Sequence, residues 1–252
     1  MCLALIALDA HPHYALVVAA NRDEFHARPT VAADWWDEGW LAGRDLEAGG
    51  TWLGVTRQGR WALLTNVREP ARHDPHAPSR GALVASVLAH DGAVDAALGE
   101  IVAAATAHNG FNLVAGDRSL AHFASNRAPG ATLAVPGIHG LSNATLDTPW
   151  PKVTRTKSAF ARWCDAGDDE LEGLLALLAD RVCAPDADLP STGVPLERER
   201  ALSAPFIVGE RYGTRSSTVV ALGRDGRLRF SERSFDAAGR VTGEARFAFD
   251  LR

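Results

Sequence analysis

Lysine is nearly missing from this chain: of 26 basic residues only Lys152 and Lys157 are lysines, a bias read first as codon usage and only second as a preference for anions. Basic runs are missing as well, and the formal net charge is −5, so no face is equipped to release counterions from a phosphate backbone; nucleic acid is not an expected partner. Three cysteines, Cys2, Cys164 and Cys183, are too few and too scattered for a disulfide framework, and no Cys-x-x-Cys pair suggests zinc or a redox couple. A reducing compartment follows, with the cytoplasm as the expected location. The opening apolar run stops at Asp9, lacks a positive flank and falls far short of the ~20 residues that span a bilayer, so it reads as neither signal nor anchor. No Gly-x-Gly-x-x-Gly follows a strand, which excludes a dinucleotide fold on motif. No Cys-x-x-Cys-His occurs and Met1 is the sole methionine, which excludes c-type haem attachment and a methionine axial ligand.

What is present is an ordinary globular composition: 252 residues, 46% apolar and 23% charged, enough for a sizeable core and read as one domain over residues 1–252. Residues 2–8 and 15–20 are nearly continuous apolar runs around a polar turn, a hairpin buried on both faces and so central in a layered fold. A second hairpin is expected from Trp52 to Asn66 around Gln58-Gly59, preceded by Gly49-Gly50 where positive φ is cheap. Helical spacing predicts helices over 80–90, 93–108, 151–163 and 169–181. Strands are predicted over 111–115, 121–125, 132–135, 217–222, 227–233 and 246–249. Strands, two helices, strands, two helices, strands is the order of an α+β domain with helices packed on sheets.

Chemistry concentrates at the front of the chain. A cysteine at position 2 becomes a chain terminus if Met1 is removed, and its α-amine, titrating near ~8, then serves as a general base for a thiol titrating near ~8.5. A small buried hydrophobe at a strand start is the bland alternative. With the hairpin turn near residues 11 and 12, antiparallel partners sum to about 23 or 24, which sets Cys2 across from Asn21 or Arg22 at ~5 Å. Arg22 then lowers the thiol pKa or holds an acidic substrate group, and Asp23 or Glu24 orients an α-ammonium.

These residues carry a resemblance. Asn-Arg-Asp-Glu at 21–24 stands with GGTWLGV (49–55), LLTNVR (63–68), SRG (79–81), NGFNLV (109–114), LSNATLDTPWPKV (141–153), LPSTGV (189–194), YGTRSSTVV (212–220) and SERSF (231–235). In that order they resemble the NRDE proteins, also called the transport and Golgi organisation protein two family. The resemblance implies a four-layer αββα sandwich of the N-terminal-nucleophile (Ntn) hydrolase type. More distantly the chain is similar to cysteine amidases of that fold, the bile-salt hydrolases and penicillin V acylases. Carried over, this implies Cys2 as nucleophile, Asn66 in the oxyanion hole and Asn143 holding the reacting centre, with Arg215 or Arg200 as a later arginine. The amidases' Arg-x-x-Asp is not matched: Arg22 falls one position late, which reverses the strand face it occupies.

The family is also associated with haem trafficking and acyl-lipid handling. His11, His13, His73, His76 and His139 are candidate haem ligands, though exposed turn histidines are the simpler reading. Trp35, Trp36 and Trp40 could line an apolar pocket or belong to the core. The altered arginine position tilts the expectation toward a carrier of haem or another hydrophobic ligand. A Cys2 amidohydrolase or acyltransferase that needs no cofactor stands second, and a scaffold using its tryptophans third.

Overall fold

Residues 2–8 are apolar throughout because both faces of that strand are covered. The computed structural model describes residues 2–118, 120–134 and 136–252. It begins with strands β1 (Cys2–Leu8), β2 (Tyr14–Phe25), β3 (Thr30–Trp35), β4 (Trp40–Asp45), β5 (Leu53–Thr56) and β6 (Trp61–Asn66). Helices α1 (Gly81–Ala89) and α2 (Val94–Ala104) follow, then strands β7 (Phe111–Gly116), β8 (Ala121–Ser125), β9 (Ala128–Ala134) and β10 (Gly137–Leu141). Helices α3 (Pro151–Ala166), α4 (Leu171–Leu178) and α5 (Leu196–Leu202) precede the closing strands β11 (Tyr212–Gly223), β12 (Arg227–Phe235) and β13 (Val241–Asp250).

One sheet runs β10-β1-β2-β11-β12-β13 and the other β3-β4-β5-β6-β7-β8-β9, all neighbours antiparallel. Strand alternation divides β1 between two cores: Ala4, Ile6 and Leu8 meet Leu41, Val55 and Leu63 of the facing sheet. Leu5 and Ala7 meet Phe160 of α3 and Leu174 and Leu178 of α4. On the far side Val84, Val87 and Leu98 of α1 and α2 cover Ala62, Leu64 and Leu113. The layers are therefore helix, sheet, sheet, helix, the αββα arrangement of an α+β fold. Each leucine so buried contributes about 1.5–3 kcal/mol. Pro151 opens α3, and Gly167, left-handed at φ 65°, closes it.

The central hairpin, the helix pairs and the closing strands lie where the sequence placed them. Strands β3, β4 and β10 were not foreseen. β3 is an edge strand exposed at Val31 and Ala32 and carries no clean alternation. The second helix ends at Ala104 rather than His108, because residues 105–107 tighten into a 3₁₀ turn. The strand expected over 132–135 begins at Ala128, and its Val135 lies outside the described residues. His11 is no exposed turn residue: its ring is buried and stacks on Trp163, Nδ1 accepts from the His13 and Tyr14 amides, and Nε2 lies 2.9 Å from the Asp168 carbonyl. Among the described residues no helix is long and apolar enough to cross a membrane.

Candidate active site

β1 and β2 pair so that Cys2 faces Arg22 and Leu3 faces Asn21. The two residues of each pair share a sheet face, so Arg22 stands on the cysteine's side and Asn21 on the other. Asn21 is therefore removed from the candidate set. Its Nδ2 donates to the carbonyls of Leu178 and Pro205, both at 2.9 Å, and its Oδ1 accepts from Ser217 Oγ at 2.6 Å. It fastens the end of α4 to the sheet.

Half-buried Cys2 borders a cleft of about 550 Å³ that is also lined by Arg22, Asp23, Glu24, Trp52, Asn66 and Arg80. Arg22 is held in place from three sides: Nη1 donates to Thr30 Oγ1 at 3.2 Å, Nη2 lies 3.4 Å from Asp45 Oδ2, and the guanidinium stacks 4.3 Å over the Trp52 ring. Arg80, just before α1, donates to the Gly110 carbonyl at 3.1 Å. Burial draws its guanidinium below the ordinary range, with Glu24 and Cys2 pulling the other way. Two arginines thus stand on the walls of the cleft that Cys2 borders. Glu24 Oε1 accepts from the Phe25 amide at 2.8 Å.

Asn66 ends β6 on the cleft wall. Asn143 does not line the cleft: it is 1% exposed, and its Nδ2 donates to the Asn66 carbonyl at 2.7 Å while the Arg68 amide donates to the Asn143 carbonyl at 2.8 Å. Neighbouring Ser142 donates to the Cys2 carbonyl at 2.9 Å. Asn143 thus braces β6, and Ser142 beside it reaches β1. The Thr51 amide donates to the Gly81 carbonyl at 3.2 Å. That contact explains Gly50: a Cβ there would run into the Gly81 carbonyl, so close backbone approach is what the residue supplies, while Gly49 supplies positive φ at 74°. Asn66 remains as a side-chain amide on the wall of the cleft that Cys2 borders.

Behind Cys2 lies a buried polar layer. Asp23, 2% exposed, accepts from Thr214 Oγ1 at 2.7 Å, and Tyr212 Oη donates to its carbonyl at 3.0 Å. Burial raises the Asp23 carboxyl above its ordinary range despite Lys152 nearby. Arg215 is a further correction. The ladder passes from Thr214↔Asp23 to Ser216↔Arg22, leaving Arg215 as the extra residue of a bulge, and Nη1 donates to the carbonyls of Phe25, His26 and Arg28. It ties down the loop after β2 and does not line the cleft. Arg200 pairs with Asp186 on the surface. Arg80, Tyr212, Thr214 and Lys152 are not site candidates from sequence, although each lies inside a quoted motif.

Trp35 packs against Phe249, and Trp36 packs against Trp40 on the side of α1 and α2, so none of the three lines the cleft; Trp52 does. His139 pairs with Asp147, whereas His73 lines both this cleft and an adjoining cavity of about 310 Å³ that includes Val67, Pro70 and Val194. Among the described residues no group of three or more His, Cys, Asp or Glu could hold a metal ion.

Two facing antiparallel sheets between helix layers define the class of the fold as Ntn-hydrolase-like. A variant of the conjugated bile acid hydrolase from Clostridium perfringens shares it at a TM-score of 0.51 and 10% identity, over 99% of this chain and 92% of that one, a likeness that speaks for the fold alone. Within that class the chain belongs to the Transport and Golgi organisation 2 family, whose profile matches residues 1–237. It is 36% identical to the Transport and Golgi organization protein 2 homolog of Bos taurus and 34% identical to that of Homo sapiens, covering 93% of each chain in both comparisons.

Proposed function

We propose that the protein is a cysteine acyl hydrolase or acyltransferase that opens an amide or thioester bond in a small molecule. The observation that carries this reading is the Cys2 thiol on the border of a cleft that Arg22, Asp23, Glu24, Asn66 and Arg80 also line. Cys2 Sγ attacks the carbonyl carbon, and the Asn66 amide donates to the oxygen as it becomes negative, an interaction stronger in the transition state than in the ground state. Arg22 and Arg80 on the cleft wall pair with an acidic group of the substrate. Water or a second nucleophile then releases the acyl group, so no cofactor is required. Incubation with a panel of acyl thioesters and fatty amides, followed by intact-mass measurement, tests it. An acyl adduct that disappears in Cys2→Ala supports the reading, and no adduct with any member of the panel rejects it.

A carrier of haem or another hydrophobic ligand is the second reading. It is favoured by the adjoining apolar-walled cavity and by His73 on the wall of both spaces. It ranks below catalysis because the tryptophans expected to embrace a porphyrin pack away from the cleft, leaving Trp52 as the aromatic wall and Cys2 or His73 as axial donors. Haem titration tests it: a saturable Soret shift reduced in His73→Ala or Cys2→Ala supports it.

A further inference from the structure

Lys152 is 1% exposed, and its Nζ has no hydrogen-bond partner among the described residues. A charged ammonium in that condition is costly, since burial removes its hydration without replacing it. The position adds to the cost: Lys152 follows Pro151 in the first turn of α3, where the helix dipole opposes a cation. The charged groups around it come from several elements. Asp23 lies on β2, Cys2 on β1 and Arg68 after β6, with Tyr212 on β11 and Glu199 of α5 beyond, the latter ion-paired with Arg68. Burial and, less strongly, the Arg68 charge draw the Lys152 amine down to about 8, with Asp23 and Cys2 opposing. An amine so placed exists in both neutral and charged forms near neutral pH, and it matches an ordinary thiol.

We propose that Lys152 is the proton-holding partner of Cys2, acting through one bridging water. The assignment rests on the reading of Cys2 as a nucleophile. The Cys2 S–H bond breaks, the proton passes by way of water to the neutral Lys152 amine, and a thiolate stands near an ammonium. The thiolate forms a C–S bond to the substrate carbonyl, and the carbonyl's bond to its amine or thiol breaks. The leaving group takes the proton back from Lys152 through the same water. In deacylation Lys152 accepts a proton from the incoming water and returns it to the departing thiolate. Activation of this kind does not depend on a free α-amine, so it operates whether or not Met1 is removed. Lys152 acts on the substrate through Cys2 and water, and is a positioning residue in that sense.

With two lysines in the chain, Nζ-labelled lysine gives two NMR signals, and Lys157, ion-paired with Asp147 and partly exposed, is the internal reference. The proposal expects the Lys152 amine titration to move when Cys2 is replaced by Ala while Lys157 stays put. In a Cys183→Ser background, the pH profile of Cys2 alkylation by iodoacetamide is expected to shift upward by about one unit or more in Lys152→Met. Lys152→Arg keeps the charge and so keeps the wild-type alkylation profile, yet loses about 10²–10⁴-fold in acyl turnover because a guanidinium does not give up its proton. A Lys152 titration indifferent to Cys2→Ala, or a Lys152→Arg variant with full turnover, overturns the proposal. If acyl adducts never form but the two titrations are coupled, the catalytic reading of Cys2 fails and the thiol–amine link stands.

Discussion

At the scale of single residues the neighbourhood of Cys2 separates groups that face the cleft from groups that hold it together. Replacing Asn66 by Ala is expected to lower acyl turnover by about 10²–10³-fold while leaving the urea midpoint near wild type, because its side chain is not part of the core. Asn21→Ala should do the reverse. It strands the Leu178 and Pro205 carbonyls at a cost of about 1–3 kcal/mol each at most, and the rate of Cys2 alkylation stays unchanged. Glu232 offers a pH test. Its carboxylate lies between the sheets, accepting from the Ala33 amide and Thr218 Oγ1, both at 2.8 Å, and burial raises its pKa despite Arg22. A raised folded-state value means that its contribution is fully present below the unfolded carboxylate range near ~4.3 and is lost as pH rises through the folded value. Glu232→Gln removes that titration, so the fall in urea midpoint across that window is expected to shrink; an unchanged pH dependence would contradict the assignment.

At the scale of elements, what could be read in advance depended on whether local pattern or distant packing decided the outcome. The β1–β2 hairpin was legible because doubly covered strands are apolar at every position. Its turn length also narrowed the partner of Cys2 to Asn21 or Arg22, of which the ladder takes Arg22. β3 was not legible because an edge strand with solvent on much of both faces has no period to detect. The bulge that turns Arg215 away leaves no mark in the local pattern. Nor does the commitment of the Asn143 amide to a carbonyl 77 residues earlier. Lys152 carried a signal in plain sight: in a chain that uses arginine almost everywhere, a lysine inside the conspicuous WPKV segment calls for a chemical reason, and a titratable amine supplies one that guanidinium cannot. At Gly50 backbone meets backbone. Gly50→Ala is expected to cost about 1–3 kcal/mol by forcing the turn before β5 away from the start of α1, and to weaken turnover by moving Trp52 and Arg80 together.

At the scale of the whole molecule, two sheets share one polar cleft. β1 and β2 bring Cys2 and Arg22, β6 brings Asn66, the entrance to α1 brings Arg80 and the start of α3 brings Lys152 behind them. The braces through Ser142, Asn143 and Arg68 join the sheets at that end and hold Cys2 and Asn66 at a fixed spacing. Burial pushes the Cys164 thiol up to about 11, and Cys183 is exposed, so replacing Cys183 leaves Cys2 as the thiol within reach of solvent. The most direct measurement is therefore intact-mass spectrometry of the Cys183→Ser protein during turnover of an acyl thioester, followed by peptide mapping. An acyl group carried on Cys2 that appears and decays at the rate of turnover is the predicted result. Turnover that persists in Cys2→Ala, or an acyl group found elsewhere on the chain, would contradict it.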